Sequence, residues 1–227
     1  FTNGQLLKED TVELLKKNRN IVPIFSLEGG SSETDRRRGE KVYQGVREGI
    51  RKISGLPIFW GVSLTFTREN IKVLLSDSFV EDLVKEGCRL FFYVEYVPVE
   101  EGTQDLVLRV SERRELLEEI EKLRKRHKVL MVAFPGEEDL YGGCLSAGRG
   151  FAHVNSRGDL EPCPFSPFPA GSLVNLSLME ALQSKFLVTL RDNHFQLTET
   201  EGGCALWEKR EWVEELLQSL EKERIIH

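Results

Sequence analysis

Three cysteines in the last third of the chain have the residue type and spacing best suited to chemistry. Cys144 stands in GGCLSAGRG, Cys163 in LEPCPF and Cys204 in EGGCALW. Thirteen residues separate Cys144 from Gly158, four more lead to Cys163, and forty lie between Cys163 and Cys204. Thiolates gathered from distant segments around turns are the donors that soft metals and iron–sulfur clusters take. Spacing alone leaves three readings open, because no close CxxC pair is present. They are a structural zinc site, an iron–sulfur cluster, and buried cysteines without a ligand. The fourth cysteine, Cys88, heads the apolar run CRLFFYVEY and reads as a small core residue.

The elements that must position these cysteines begin with an α/β region. IVPIFS (Ile21 to Ser26), PIFWGVSLTF (Pro57 to Phe66), CRLFFYVEY (Cys88 to Tyr96) and KVLMVAF (Lys128 to Phe134) read as buried strands. Between them lie helical patterns. Val42, Val46, Ile50 and Ile53 share one face, and a helix beginning at TREN continues through Phe79, Val80, Leu83 and Val84 to Gly87. In ERRELLEEIEKLRKRH, Leu116, Leu117, Ile120 and Leu123 point inward, and the interleaved charges, Arg113 among them, read as a solvated face with i,i+4 pairs. Strands separated by helices imply parallel βαβ units, and both an open doubly wound sheet and a β/α barrel fit.

After Pro135-Gly136 the texture changes to glycines, prolines and short segments. FAHVN and LEPC read as a hairpin with Arg157-Gly158 at its turn. SLMEALQSKFLVTL is a helical stretch, and Leu206, Val213, Leu217 and Leu220 mark a final helix, with Trp207 and Trp212 expected to exclude water from the cysteine region. The division is therefore 1–135 and 136–227.

Among the 227 residues, 40% are hydrophobic and the net charge is −6. That balance fits a globular core and argues against a nucleic-acid surface, which the short RRR of Arg36, Arg37 and Arg38 does not reverse. No apolar run approaches the ~18 residues of a membrane-spanning helix. Four cysteines and no secretion signal point to a reducing, cytoplasmic setting.

The order of the loop motifs resembles the radical SAM enzymes, whose core is a partial, TIM-like β/α barrel. FTNG, FSLEGG (Phe25 to Gly30), TDRRRG before a helix, and GVSLTFTREN are similar to successive strands and loops of that core. Cys144, Gly158, Cys163, the helix at SLMEAL and the late Cys204 resemble the SPASM or twitch extension. The family's CxxxCxxC loop and glycine-rich SAM-binding segment have no counterpart, so the chain is expected to be the C-terminal portion of a longer protein, joined at the third strand. The full SPASM pattern has seven cysteines for two clusters, and Trp207 stands where many relatives complete a CxxC pair.

The resemblance implies a radical SAM barrel portion over 1–135 and a small α+β iron–sulfur domain over 136–227. It implies that Ser26 contacts the ribose or amino-acid part of SAM, that Glu28 faces the pocket, and that Arg38, in the D-x-x-R of TDRRRG, pairs with the SAM carboxylate. A planar guanidinium suits that contact; the plainer reading of Arg36 to Arg38 is a solvated loop. Cys144, Cys163 and Cys204 become ligands of an auxiliary 4Fe–4S cluster with a non-cysteine, open or missing fourth ligand. Glu208 and His153 lie nearby in sequence. A second, SAM-binding 4Fe–4S cluster belongs to the missing part. The implied activity is hydrogen-atom abstraction from a substrate such as a peptide, with an electron-donor protein as partner. No nucleic-acid or membrane partner is expected, and no catalytic acid or base stands out. The competing class is an α/β binding protein with structural zinc and no redox role.

Overall fold

The structure, a computed structural model, describes residues 1–134, 138–197 and 204–226, apart from the side chains of 139, 140 and 221–226. The chain divides into two compact units. The first is Phe1–Tyr96 with Asp105–Phe134, and the second is Val97–Gln104 with Pro135–His227. The boundary expected at Pro135, where the texture of the sequence changes, lies outside the described residues.

The first unit runs α1 (Glu9–Lys17), β1 (Ile24–Leu27), α2 (Ser31–Arg38), α3 (Val42–Ile53), β2 (Gly61–Phe66), α4 (Ile71–Leu74), α5 (Asp77–Lys85), β3 (Leu90–Glu95), α6 (Val110–His127) and β4 (Leu130–Phe134). Its four strands are parallel and lie in the order β1-β2-β3-β4. Every crossover therefore steps the same way, as in a β/α barrel, whereas a doubly wound sheet reverses direction at a switch point. That settles what periodicity left open.

Register sorts the strand side chains into two faces. Phe25, Val62, Phe91 and Met131 form one row across the sheet and are buried. Against them pack Val46, Ile50 and Ile53 of α3, Val80 and Leu83 of α5, and Leu116, Ile120 and Leu123 of α6. Burying each such side chain stabilises the fold by about 1.5–3 kcal/mol before entropy is counted. Ser26, Ser63, Phe92 and Val132 form the opposite row. Cys88 is fully buried in the core, where its thiol donates to the Leu90 carbonyl at 3.4 Å.

Several local readings change. TDRRRG is no loop, because Ser31–Arg38 is helical. Its residues are almost all polar, so it carries no apolar period for a sequence reading to detect. Helix α1, with Val12 and Leu15 buried, was not anticipated either. The helix expected from TREN to Gly87 breaks at Ser76, whose hydroxyl accepts from the Phe79 N–H and caps α5. Such a cap is worth about 1 kcal/mol. Arg113 leaves the solvated face of α6 to pair with the buried Glu95 at 2.8 Å.

The second unit has a three-stranded antiparallel sheet, β5 (His153–Val154), β6 (Asp159–Glu161) and β7 (Gly171–Ser172), in that order. Gly158, at φ +83°, makes the turn between β5 and β6. Helices α7 (Leu178–Leu182) and α8 (Lys185–Asp192) replace the single helical stretch, split by Ser184, which caps α8. Helix α9 (Ala205–Glu208), which carries Trp207, precedes α10 (Arg210–Ile226). Leu160, Leu187, Leu190, Leu206 and Val213 form the core with Val97 and the three cysteines. No helix among the described residues is long and apolar enough to cross a membrane.

Candidate functional site

In the first unit the polar groups gather where β1 and β2 end, the edge at which β/α folds bind ligands. Asn70 organises this rim. Its Nδ2 donates to the carbonyls of Glu28 and Thr65, each at 2.9 Å, and its Oδ1 accepts from the Thr67 N–H at 2.7 Å. One buried amide thus ties the end of β1 to the end of β2, which is more than ordering its own helix. Thr34 adds a second tie, accepting from the Glu28 N–H at 3.1 Å.

Glu28 and Arg38 are brought together, against each other. Arg38 donates from Nε at 2.7 Å to Glu28 Oε1, and Arg37 donates to Oε2 at 3.1 Å. The Glu28 side chain is only 1% exposed. Burial pushes its carboxyl above the usual range while the two guanidiniums pull it back, and burial prevails. Arg37 also lies 5.2 Å over the Tyr96 ring. Arg36, Arg37, Thr67, Glu69 and Asn70 line a cleft of ≈ 200 Å³ beside this pair. Ser26 stands lower on β1, half-buried, with its backbone N–H on the Thr2 carbonyl.

In the second unit Cys144, Cys163 and Cys204 are all buried and belong to one hydrophobic core. The interaction between the Cys163 and Cys204 thiols lowers the Cys204 pKa and, together with burial, raises that of Cys163. Burial, reinforced by the Glu138 carboxylate, pushes Cys144 up to about 11. Backbone N–H groups of Phe165 and Trp207 donate to the sulfurs of Cys163 and Cys204, each at 3.4 Å.

The Cys144 loop is held rigidly. Arg149 donates to the carbonyls of Tyr141, Gly143 and Cys144, and Arg191 donates to that of Ala147. Gly143 has φ +98°, and a Cβ there would lie 3.0 Å from the Leu197 carbonyl oxygen, so only glycine fits. His153 is held elsewhere, its Nδ1 2.8 Å from Glu161 Oε2. Glu208 lines a cleft of ≈ 460 Å³ together with Cys204, Trp207, Arg210 and residues of the Val97–Gln104 segment.

Among the described residues, no three His, Cys, Asp or Glu side chains come close enough together to hold one metal ion. The donor chemistry fits a polynuclear sulfur centre, in which each thiolate serves a different iron. The sulfurs are buried and come from three segments, and two of them already accept N–H bonds of the kind that tune a cluster. The Ser166 hydroxyl, 2% exposed and in the turn that starts at Cys163, has no hydrogen-bond partner among the described residues. Buried polar atoms seldom go unpaired unless something else meets them.

No family model and no curated protein matches the sequence. Solved structures do match. SuiB of Streptococcus suis bound to precursor peptide SuiA superposes with a TM-score of 0.61 and 16% identity over 91% of this chain and 52% of SuiB. The anSMEcpe protein with bound AdoMet gives 0.61 and 13% over 99% of this chain and 70% of its own. The fold is of the radical SAM type. The chain spans about half of the SuiB length. A further anSMEcpe structure, with AdoMet and the Kp18Cys peptide, matches at 0.61 with 12% identity over 96% of this chain and 75% of its own.

Sequence reading missed Asn70 as a tie between strands, Arg37 as a second partner of Glu28, and both Glu138 and Ser166. Glu138 and Ser166 carry no motif, since their role depends on burial and on chain segments that meet only in three dimensions.

Proposed function

We propose that this chain serves a radical SAM enzyme, receiving SAM at the strand-end rim of its barrel unit and holding an auxiliary 4Fe–4S cluster in its second unit. The observation that carries this reading is the gathering of three buried thiols in the second unit of a radical SAM-type fold. When bound, SAM and its reducing cluster supply hydrogen-atom abstraction, and the auxiliary cluster supplies an electron acceptor. In this reading the SAM-reducing cluster is held outside these 227 residues, whose four cysteines form no CxxxCxxC set.

The chain's own residues bind, orient and exclude water. Arg37 and Arg38 are guanidiniums held in place by Glu28, and either can turn one edge to a carboxylate. Ser26 offers a hydroxyl on the sheet face. Cys144, Cys163 and Cys204 ligate the cluster, and Trp207 shields its Cys204 side. The substrate is a peptide, a reading supported by the SuiA and Kp18Cys peptides bound to the fold neighbours.

Anaerobic reconstitution of the 227-residue chain, followed by iron, sulfide and zinc analysis, tests this. About four iron and four sulfide per chain is the expected result. Stoichiometric zinc without sulfide would end the cluster reading and leave a binding protein with a structural zinc site.

A further inference from the structure

We infer that the cleft beside Cys204 receives a cationic side chain, lysine or arginine, of a peptide, an inference that deepens the peptide reading above and rests on it. The cleft holds ≈ 460 Å³ and lies wholly within the second unit. That volume is in the range of ligand pockets, about 300–1,000 Å³. Its lining comes from the Val97–Gln104 segment and from α9 with the first residue of α10. Cys204, whose sulfur accepts from the Trp207 N–H at 3.4 Å, lines it too. An occupant therefore lies against one of the three cysteines.

The lining is unbalanced in charge. Glu100, Glu101 and Glu208 stand against the single guanidinium of Arg210. Arg210 is committed to Trp207: its guanidinium lies 4.9 Å over the ring and donates to the Trp207 carbonyl at 3.0 Å. Among the described residues, neither Arg210 nor any of the three carboxylates forms an ion pair. The smaller cleft of the barrel unit differs, because there Arg36 pairs with Glu69 at 3.1 Å. A cleft dominated by one sign of charge focuses its field on a counter-ion of the other. Pro98, Val99 and Trp207 add apolar surface, along which the stem of a lysine or arginine packs while its head reaches the carboxylates. The Trp207 ring already carries one cation, Arg210, so this wall suits such groups. An anionic side chain would meet like charge here and be turned away.

The test uses the full chain after anaerobic reconstitution. The probes are two fluorescent glycine–serine peptides, one carrying lysines and the other glutamates at the same positions, read by anisotropy. The lysine peptide should bind about 10-fold or more tighter, and the gap should narrow as salt rises. Replacing Glu100, Glu101 and Glu208 together by glutamine should erase the gap. Glu9→Gln with Asp10→Asn, at exposed carboxylates of α1, should leave it unchanged. The reversed set Glu100→Lys, Glu101→Lys and Glu208→Lys should prefer the glutamate peptide, an exchange that a merely structural role would not produce. A photoreactive lysine in the probe should crosslink wild type within 98–101 or 204–210. Equal affinity for both peptides would overturn the inference and leave the peptide reading intact. So would a preference that the Glu9 and Asp10 replacements reduce as much, since that is the pull of a chain of net charge −6 on any cation. Binding of neither peptide, or crosslinking elsewhere, would also overturn it. The crosslink on wild type decides even if a triple variant does not fold. Selective binding by a chain that loads no sulfide would keep this inference and end the cluster reading.

Discussion

The two units treat their buried polar groups in opposite ways. In the barrel unit, Glu28 is closed by Arg37 and Arg38, and Glu95 is met by Arg113. Its rim is built from charges that already have counter-charges, and Asn70 satisfies the backbone between them. In the cysteine unit, three thiols are buried in an apolar core, and the Ser166 hydroxyl has no hydrogen-bond partner among the described residues. The rim around Glu28 pairs its charges without a ligand, whereas the cysteine unit buries thiols that a metal centre would have to ionise. Stability in the first unit should follow its own side chains, and in the second it should follow metal.

The largest expected effect tests that contrast directly. Cys163→Ala should abolish cluster loading, with iron per chain falling about 10-fold or more, whereas Cys88→Ala should leave iron content unchanged. Comparable loss in both would place the centre elsewhere. Next, Arg113→Ala removes the guanidinium that faces a buried carboxylate, and urea unfolding should show a loss of about 3–5 kcal/mol with iron loading unaffected. Asn70→Ala deletes hydrogen bonds joining two strand ends and should cost about 2–3 kcal/mol by the same measurement. It should weaken SAM binding at the rim without touching the cluster.

A smaller effect concerns pH. Because burial raises the Glu28 pKa above its ordinary 4.5, the folded state favours its protonated form. Its contribution is therefore present below the unfolded value and is lost as pH rises through the folded one. Glu28→Gln should flatten that decline, seen as a converging difference in urea midpoints on going from about pH 7 down to about pH 4. A decline of equal slope in both proteins would assign the titration to another group. The smallest effect is kinetic. The Cys88 thiol, fully buried and pushed up to about 12, should resist iodoacetamide in the metal-free folded chain. Cys204, which opens onto a cleft, should react first.

What the sequence made legible follows from how each feature is encoded. Strands β2, β3 and β4 and helices α3 and α6 are written in local apolar period, so their place could be read directly. The three cysteines were legible because few residue types do what thiols do. Helix α2 was not, because Ser31 to Arg38 buries only Thr34 and is stabilised by contacts made at a distance. The pairing of Arg113 with Glu95 joins residues eighteen positions apart on a helix and a strand, and no local pattern announces it. Glu138 is invisible for the same reason, since a lone glutamate in a loop is ordinary until it is buried beside a thiol.

The segment Val97–Gln104 has a consequence for synthesis. It leaves the chain directly after β3 but belongs to the second unit, where Val97 is 3% exposed in the cysteine core. When it emerges from a ribosome, its partners Leu206 and Val213 are still more than a hundred residues from being made. At roughly 5–20 residues per second that is a wait of roughly 5–20 seconds. During that interval Val97 lacks the core that buries it in the folded chain, so the segment stays unpacked until the second unit is made.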